Sequence, residues 1–325
     1  EGNNPNSRIV ALRADFDALP IVEENNVEYC SQNHGIMHAC GHDVHTASLL
    51  GAIRILHTLR QEWEGSIKCI FQPAEEQYPG GAQQMIKEGV LKDPAVQKIF
   101  GQHVFPDLEV GKVGFCPGRY MASADEIEIT VMGSGGHAAL PKTYNNPILA
   151  SAKLITSLDA HFLPYRNIPA VFAIGFVKAN GHCNVIPDQV ELRGTFRTID
   201  EEFRILAHSH MQEIAKQIAI EYALEVDFNI YKGYPSLYND ENLTNQAIMY
   251  AREYMGNEHV VELSLRMTAE DFAYYGNKVP SCFYRLGTSN MSESTRYGLH
   301  TSRFDIDEEA LKTGMGLMAY LAIRS

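Results

Sequence analysis

The spacing of apolar residues changes along the chain, and this change constrains the fold most. In the first third, short continuous apolar runs alternate with helix-like segments, in the order strand 8–12, helix 46–59, strand 67–71, helix 81–88 and strand 96–104. Continuous apolar runs are typical of strands that are buried on both faces. Strands separated by helices predict an α/β fold, with a parallel sheet covered by helices on both faces.

Near Met121 the pattern becomes a strict alternation of polar and apolar residues, as in DEIEITVM at 125–132. Such alternation is typical of a strand with one solvated face. The elements predicted from there are a helix at 147–158, strands at 170–177 and 190–197, a helix at 201–222 and a strand at 226–231. Their β-α-β-β-α-β order is that of a ferredoxin-like module.

From about Tyr234 the α/β pattern resumes, with helices predicted at 243–255 and 308–323 and a strand at 282–286. The sequence therefore predicts a discontinuous α/β domain of residues 1–120 and 235–325. A second domain, residues 121–234, is inserted into it. A length of 325 residues is sufficient for two domains.

Composition excludes several classes of protein. The formal net charge of −13 argues against a nucleic-acid partner, which needs a basic surface. No apolar run approaches the ~20 residues that a membrane helix requires. The six cysteines lack paired spacing, which favours a reducing compartment, and we expect a cytoplasmic protein. The sequence begins without Met, so we expect N-terminal residues to be missing, and a secretory signal stays open.

The segment HACGHDVH, residues 38–45, is the densest group of metal-binding side chains in the sequence. Cys40 and His42 are two residues apart, so one helix could not direct both at the same ion. We therefore expect a loop here, which Gly41 permits, followed by a helix whose N-terminus favours a Cys40 thiolate. Surface histidines beside a buried thiol are the alternative. Neither a second ligand pair for structural zinc nor a redox C-x-x-C motif is present.

Three further segments place candidate ligands at the ends of strands or in adjoining loops. They are FQPAEE with Glu75 and Glu76, GQHVFP with His103, and YGLHTSRF with His300. Asp15 and Asp17 likewise follow the first strand. Each could by itself be a solvated or capping residue, but together they converge on one rim of an α/β sheet. A thiolate, imidazoles and carboxylates suit Zn, Mn, Co or Ni better than Mg or Ca.

The order of motifs resembles that of a known family. HACGHDVHTA, FQPAEE, GQHVFP, GSGGHAALP, NVIPD, MTAEDFAYY and LHTSRFDIDEEAL occur as they do in bacterial N-acyl-amino-acid amidohydrolases. These are similar to hippurate hydrolases and plant auxin-conjugate hydrolases, a branch of the di-metal aminoacylase/carboxypeptidase peptidases. The resemblance runs from Arg8 to the C-terminus, and it implies a di-metal peptidase-type catalytic domain with an inserted ferredoxin-like lid and dimerisation domain.

The resemblance also implies roles for individual residues. Five match the family's metal ligands, namely Cys40, His42, Glu76, His103 and His300. Glu75 matches the general base that activates water, Asp17 a residue beside the metals, and Asp43 a residue that orients a ligand imidazole. In the inserted domain His137 matches a histidine that stabilises the oxyanion. Asn184 and Arg197 match positions that bind the substrate carboxylate.

We therefore expect a metal-dependent amidohydrolase that cleaves the acyl amide bond of N-acyl amino acids with two divalent ions. The resemblance implies a homodimer formed through the inserted domain. The alternatives are a metal- or small-molecule-binding protein without hydrolytic activity and a structural zinc protein. The sequence leaves open the preferred acyl group and amino acid, since the shape of the pocket decides both.

Overall fold

A computed structural model describes residues 1–162, 167–290, 295 and 297–325. It divides the chain into two compact units. Unit 1 contains residues Glu1–Tyr120, Leu237–Leu265 and Asp271–Ser325, and unit 2 contains Met121–Ser236 and Arg266–Glu270. Among the described residues, no helix combines the length and the apolar character needed to cross a membrane.

The described residues form both strands and helices. The strands are β1 Ile9–Asp15, β2 Ser66–Gln72, β3 Lys98–Glu109, β4 Val113–Phe115, β5 Gly118–Met121, β6 Asp125–Met132, β7 Gly136–His137, β8 Ala170–Ala179, β9 Val185–Ile186, β10 Gln189–Thr198, β11 Glu225–Lys232, β12 Leu237–Asn239, β13 Val260–Glu262 and β14 Ser281–Ser289. The helices are α1 His42–Thr58, α2 Gly81–Lys87, α3 Pro147–Phe162, α4 Glu201–Tyr222, α5 Glu241–Met255, α6 Ala273–Gly276 and α7 Glu309–Arg324.

Unit 1 is built on a six-stranded sheet in the order β13-β4-β14-β3-β1-β2. All seven residues of β1 are buried, which explains its continuous apolar run. Neighbouring strands are parallel except for β4 and β14, which are antiparallel. The predicted parallel sheet therefore contains one antiparallel pair, formed by β4, a three-residue strand too short to show a period.

The rim expected from the sequence is formed by the ends of β1 and β2 and by the middle of β3, which runs on to Glu109 and does not end at His103 as expected. β1 ends at Asp15 beside Gln72, the last residue of β2. The pairing of β1 with β3 runs only as far as Arg13 and Gly101, so β3 continues past it towards His103. The loop before α1 meets β3 at this rim, where Gly41 has a φ of 75° and a Cβ would lie 2.6 Å from Val104 Cγ2. Only glycine suits both the conformation and the space.

Unit 2 contains an antiparallel sheet in the order β11-β6-β10-β8. Its elements follow the predicted β-α-β-β-α-β order, with the short strands β7 and β9 added. Buried and exposed residues alternate along β6, as its sequence predicts. The buried side chains of the sheet pack with α3 and α4 into a separate core that includes Ile129, Leu154 and Met211.

Candidate metal centre

Cys40 belongs to two different groups of potential metal ligands. Its Sγ lies with ligand atoms of His42 and His103, all within 4.8 Å of one another. The same Sγ lies with ligand atoms of Glu76 and His300, again within 4.8 Å. We call the first group the inner position and the second the outer position. Two ion positions that share one thiolate are the arrangement of a binuclear site with a bridging ligand.

The inner position is buried and its two imidazoles are held by hydrogen bonds. His103 Nδ1 lies 2.8 Å from the carbonyl of Val104, to which it must donate, so its Nε2 carries the lone pair and lies 3.6 Å from Cys40 Sγ. His42 Nδ1 lies 3.0 Å from Asp17 Oδ1, and its Nε2 faces the centre. His42 is 1% exposed and His103 is 6% exposed. Each presents one fixed nitrogen, as a metal ligand should.

The outer position is more accessible and is built on two loops. Glu76 follows the end of β2, and His300 lies in the loop before α7. The N–H of His300 donates to the carbonyl of Ala39, which joins this loop to the Cys40 loop. The His300 side chain is 53% exposed, and its Nε2 is 2.9 Å from Glu76 Oε1.

Two buried atoms show that the centre fits divalent ions. Within the part of the chain that the structure describes, neither His42 Nε2 nor Glu76 Oε1 has a hydrogen-bond partner. Glu76 Oε1 is close to His300 Nε2, but without the alignment of a hydrogen bond. Buried polar atoms normally find a partner, so an ion would satisfy one orphan atom in each position. The donors are a thiol, imidazoles and a carboxylate, which suit Zn, Mn, Co or Ni.

Asp17 joins the two positions. Its Oδ1 accepts from the His42 ring and its Oδ2 accepts from the N–H of Glu76 at 2.9 Å. Burial disfavours its charge, but the hydrogen bonds from His42 and Glu76 outweigh burial and lower the pKa of Asp17. The role expected of Asp43 is thus filled by Asp17. The Asp43 carboxylate is exposed and accepts from its own neighbour, the Val44 N–H.

The protonation of the inner ligands depends on nearby carboxylates. Burial first, and then the charges of Glu76 and Glu75, raise the pKa of the Cys40 thiol well above its ordinary value. The expected stabilisation of a thiolate by the helix N-terminus is therefore outweighed, and a cation has to displace the proton. Burial also disfavours the His42 imidazolium, but Asp15 and Asp17 outweigh burial and raise its pKa to about 9.

Glu75 lies against the centre without being part of either position. Its side chain is buried, with 7% exposure. A carboxylate oxygen of Glu75 and ligand atoms of His42 and Glu76 lie within 4.8 Å of one another. A carboxylate in this place can accept a proton from a water molecule at the centre. The neighbouring glutamates therefore both face the same centre.

Three residues of unit 2 were predicted to act on the substrate, and the structure brings the segments of two of them, His137 and Asn184, together. His137 in β7 pairs with Val185 in β9, and the N–H of Ala138 donates to the carbonyl of Asn184. His137 Nδ1 accepts from the Ala139 N–H, so its Nε2 is the nitrogen that can donate outward. Arg197 is on β10, where its Nη1 donates to the Met267 carbonyl at 3.2 Å.

Comparisons with known proteins agree with this centre. The family model described as peptidase family M20/M25/M40 matches residues 11–324. The chain belongs to this family. N-acetylcysteine deacetylase of Bacillus subtilis is 40% identical over 319 residues, which cover 97% of this chain and 81% of the relative. N-acetyldiaminopimelate deacetylase of Brevibacillus brevis is 33% identical over 322 residues, or 98% of this chain and 82% of the relative.

A solved structure is similar over nearly the whole M20 chain. The Bacillus subtilis YXEP protein, described as a dinuclear metal-binding peptidase of family M20, matches with a TM-score of 0.82 and 36% identity. The match covers 99% of this chain and 83% of that structure. The predicted family, the α/β fold with an inserted domain, the metal-dependent hydrolase class and the binuclear metal requirement are thereby confirmed.

Sequence reasoning missed a buried network beneath this M20 centre. Arg13 lies between two carboxylates, at 2.5 Å from Asp15 and 2.9 Å from Asp271, and all three are fully buried. His45 Nδ1 is 2.5 Å from Asp15 Oδ1. Ligand atoms of Asp15, His42 and His45 also lie within 4.8 Å of one another, but Arg13 and His45 already occupy the Asp15 oxygens. The only signal in the sequence was an arginine inside an apolar strand.

Proposed function

We propose that this M20 peptidase hydrolyses the acyl amide bond of N-acyl amino acids. The observation that carries the proposal is the shared Cys40 sulfur, which belongs to two ligand groups and has Glu75 beside them. A single structural zinc would need one closed shell of four ligands. The deacetylases among the relatives act on N-acetylated amino acids according to their names, which supports the same substrate class here.

We assign five metal ligands in this centre, which are Cys40, His42, Glu76, His103 and His300. Two bound divalent ions would polarise the amide carbonyl and lower the pKa of water. Their identity among Zn, Mn, Co and Ni stays open, because the donor set suits all four.

Glu75 moves the proton in the proposed reaction. Its buried carboxylate takes a proton from the attacking water and passes it to the amide nitrogen, which otherwise leaves poorly as an anion. Asp17 contributes by holding the His42 ring and the Glu76 backbone at fixed places.

We further assign His137 to stabilisation of the oxyanion, and Asn184 and Arg197 to binding of the substrate carboxylate. The outward-facing Nε2–H of His137 is a suitable donor for an oxyanion. A guanidinium is the side chain that best matches a carboxylate. Unit 2 would then be the lid and dimerisation domain and unit 1 the catalytic domain.

A homodimer formed through unit 2 is part of the proposal. β8 is the last strand in the order of its sheet and carries exposed apolar residues, namely Val171, Phe176 and Val177. Such an edge readily pairs with another strand. A monomer in light scattering at micromolar concentration would contradict this part of the proposal. We also propose a cytoplasmic location, since none of the six cysteines, all within the described residues, forms a disulfide.

The decisive experiment compares the adjacent glutamates. Glu75→Gln removes only the proton acceptor, so both ions should stay bound while turnover of N-acetylcysteine, hippurate or N-acetyldiaminopimelate falls about 10²–10⁴-fold. Glu76→Gln should lose the outer ion, and excess metal should partly restore its activity. Glu62→Gln, at an exposed carboxylate, is the matched control.

Metal content by mass spectrometry and turnover are measured for each variant. Loss of metal in Glu75→Gln with retention in Glu76→Gln would reverse the two roles. A wild-type protein that binds two ions but hydrolyses none of these amides would instead be a metal-binding protein without hydrolytic activity.

A further inference from the structure

The ring of His45 is fully buried, and the structure fixes which of its nitrogens carries the proton. Its Nε2 lies 2.9 Å from the backbone N–H of Val104, a group that can only donate. Nε2 is therefore the acceptor. Nδ1, at 2.5 Å from Asp15 Oδ1, must then be the donor.

The backbone N–H and the backbone carbonyl of Val104 are each held by an imidazole. The pairing of β1 with β3 ends at Arg13 and Gly101. Beyond this point, the N–H of Val104 donates a hydrogen bond to His45 Nε2. The carbonyl of the same residue accepts from His103 Nδ1. Because His103 is directed by the Val104 carbonyl, whatever holds Val104 also holds the direction of His103 Nε2 towards the inner position.

A charged network fixes the other side of His45. Asp15 accepts from Arg13, and Arg13 also donates to Gln72 and Asp271. Asp271 in turn accepts from Gln72 and from the N–H of Ala82. Because the side chains of this buried network are hydrogen-bonded to one another, the Asp15 carboxylate is held in one orientation. Asp15 therefore presents one oxygen to His45 in a fixed place.

We propose that His45 is a positioning residue for the inner ion, which it serves by holding the backbone at Val104, whose carbonyl directs His103. This inference rests on the proposed metal centre. His45 touches neither the ion nor the substrate, and it acts through the backbone of β3. It follows that the inner position depends on His45, whereas the outer position of Glu76 and His300 does not.

The test measures ion affinity directly, by chelator competition with Co²⁺ and Zn²⁺. In a His300→Ala background, which leaves only the inner position complete, His45→Ala should weaken ion binding about 10–100-fold. In a His103→Ala background, His45→Ala should leave binding at the outer position unchanged. His45→Gln retains an acceptor for the Val104 N–H and should recover part of the inner affinity. It also serves as the second variant if His45→Ala fails to fold.

His208→Ala is the control for losing a buried histidine, since His208 Nε2 bonds Asp125 at 2.6 Å in unit 2. It should lower the melting temperature without changing either affinity. An unchanged inner affinity in His45→Ala, or an equal loss at both positions, would overturn the positioning role. A wild-type protein that fails to bind two ions would instead overturn the proposed function, so the two failures are distinguishable.

Discussion

The inner and outer positions share Cys40 but are built differently. At the inner position both imidazoles are buried, and each is oriented by a hydrogen bond to Asp17 or Val104. At the outer position the imidazole of His300 is half-exposed and lies on a loop, with a φ of 62° that is unusual for a residue other than glycine. A ligand set held in place before the ion arrives loses less conformational entropy on binding.

This difference predicts that the two ions bind with different affinities and exchange at different rates. The inner ion should bind tightly and exchange slowly, because its ligands are buried and already oriented. The outer ion should bind more weakly and exchange faster, because water reaches the half-exposed His300 side chain. Chemistry that needs both ions would then be limited by occupancy of the outer position.

The largest effect should come from Cys40→Ala, because the sulfur belongs to both positions. We expect loss of both ions and of measurable turnover, which is a larger effect than losing the general base. Metal content after gel filtration, with circular dichroism to confirm folding, checks this. Retention of one ion at wild-type affinity would show that the sulfur serves only one position.

The next largest effect separates the two positions with matched histidines. His103→Ala should remove the inner ion, and His300→Ala should remove the outer ion, so each variant should keep one equivalent of metal. Excess metal should restore activity better in His300→Ala, because an exposed position can recruit a water ligand. Restoration that is better in His103→Ala would contradict the ranking of the two positions. Titration with Co²⁺, followed by absorbance and turnover, measures both.

The sequence allowed the rim of the sheet to be predicted, because polar residues that interrupt apolar runs mark the ends of strands. The ends of β1 and β2 were found in this way, but β3 runs on to Glu109, so His103 lies within a strand and not at the end of one as expected. The start of α1 was placed too late, at Thr46, whereas the helix begins at His42. The left-handed conformation of Gly41 allows this abrupt start, and a pattern of side chains does not reveal backbone dihedrals.

The buried network was outside the reach of sequence patterns for a different reason. Arg13 lies within the buried strand IVALRAD, and its partner Asp271 is 258 residues away in the chain. His45 lies in the metal-binding motif, so only the geometry separates a residue that holds the backbone from a ligand. Long-range partners of this kind depend on how the chain folds back.

Proton release should also differ between the positions. In the ion-free protein the pKa of His42 is about 9 and that of Cys40 is raised further, so both are protonated at neutral pH. Filling the inner position therefore releases both protons. Each released proton should raise the dissociation constant of the inner ion about tenfold for every pH unit of acidification below about pH 8. Two protons should therefore raise it by up to about hundredfold for every pH unit.

The outer position should respond less to pH. Burial raises the pKa of Glu76, but its contacts with His300, Cys40 and His42 together outweigh burial and lower the pKa, so this carboxylate brings no proton. The pKa of His300 is raised, chiefly by its contact with Glu76. With the inner ion bound, His300 is the one ligand of the outer position that can still bring a proton. Calorimetry in buffers with different ionisation enthalpies counts the protons, and a larger count for the outer ion would contradict this assignment.

The smallest effect should come from Asp17→Asn, and it should not distinguish the positions. Asp17 bonds the His42 ring through one oxygen and the Glu76 N–H through the other. The amide of Asn can replace only one of these two acceptors, so either the inner or the outer ligand loses its support, and the shared sulfur transmits the loss. We expect both affinities to fall by about 10–100-fold. Asp43→Asn, one residue from His42 but exposed, should leave both affinities unchanged. If Asp43→Asn weakened the inner ion while Asp17→Asn did not, Asp43 would be the residue that orients His42.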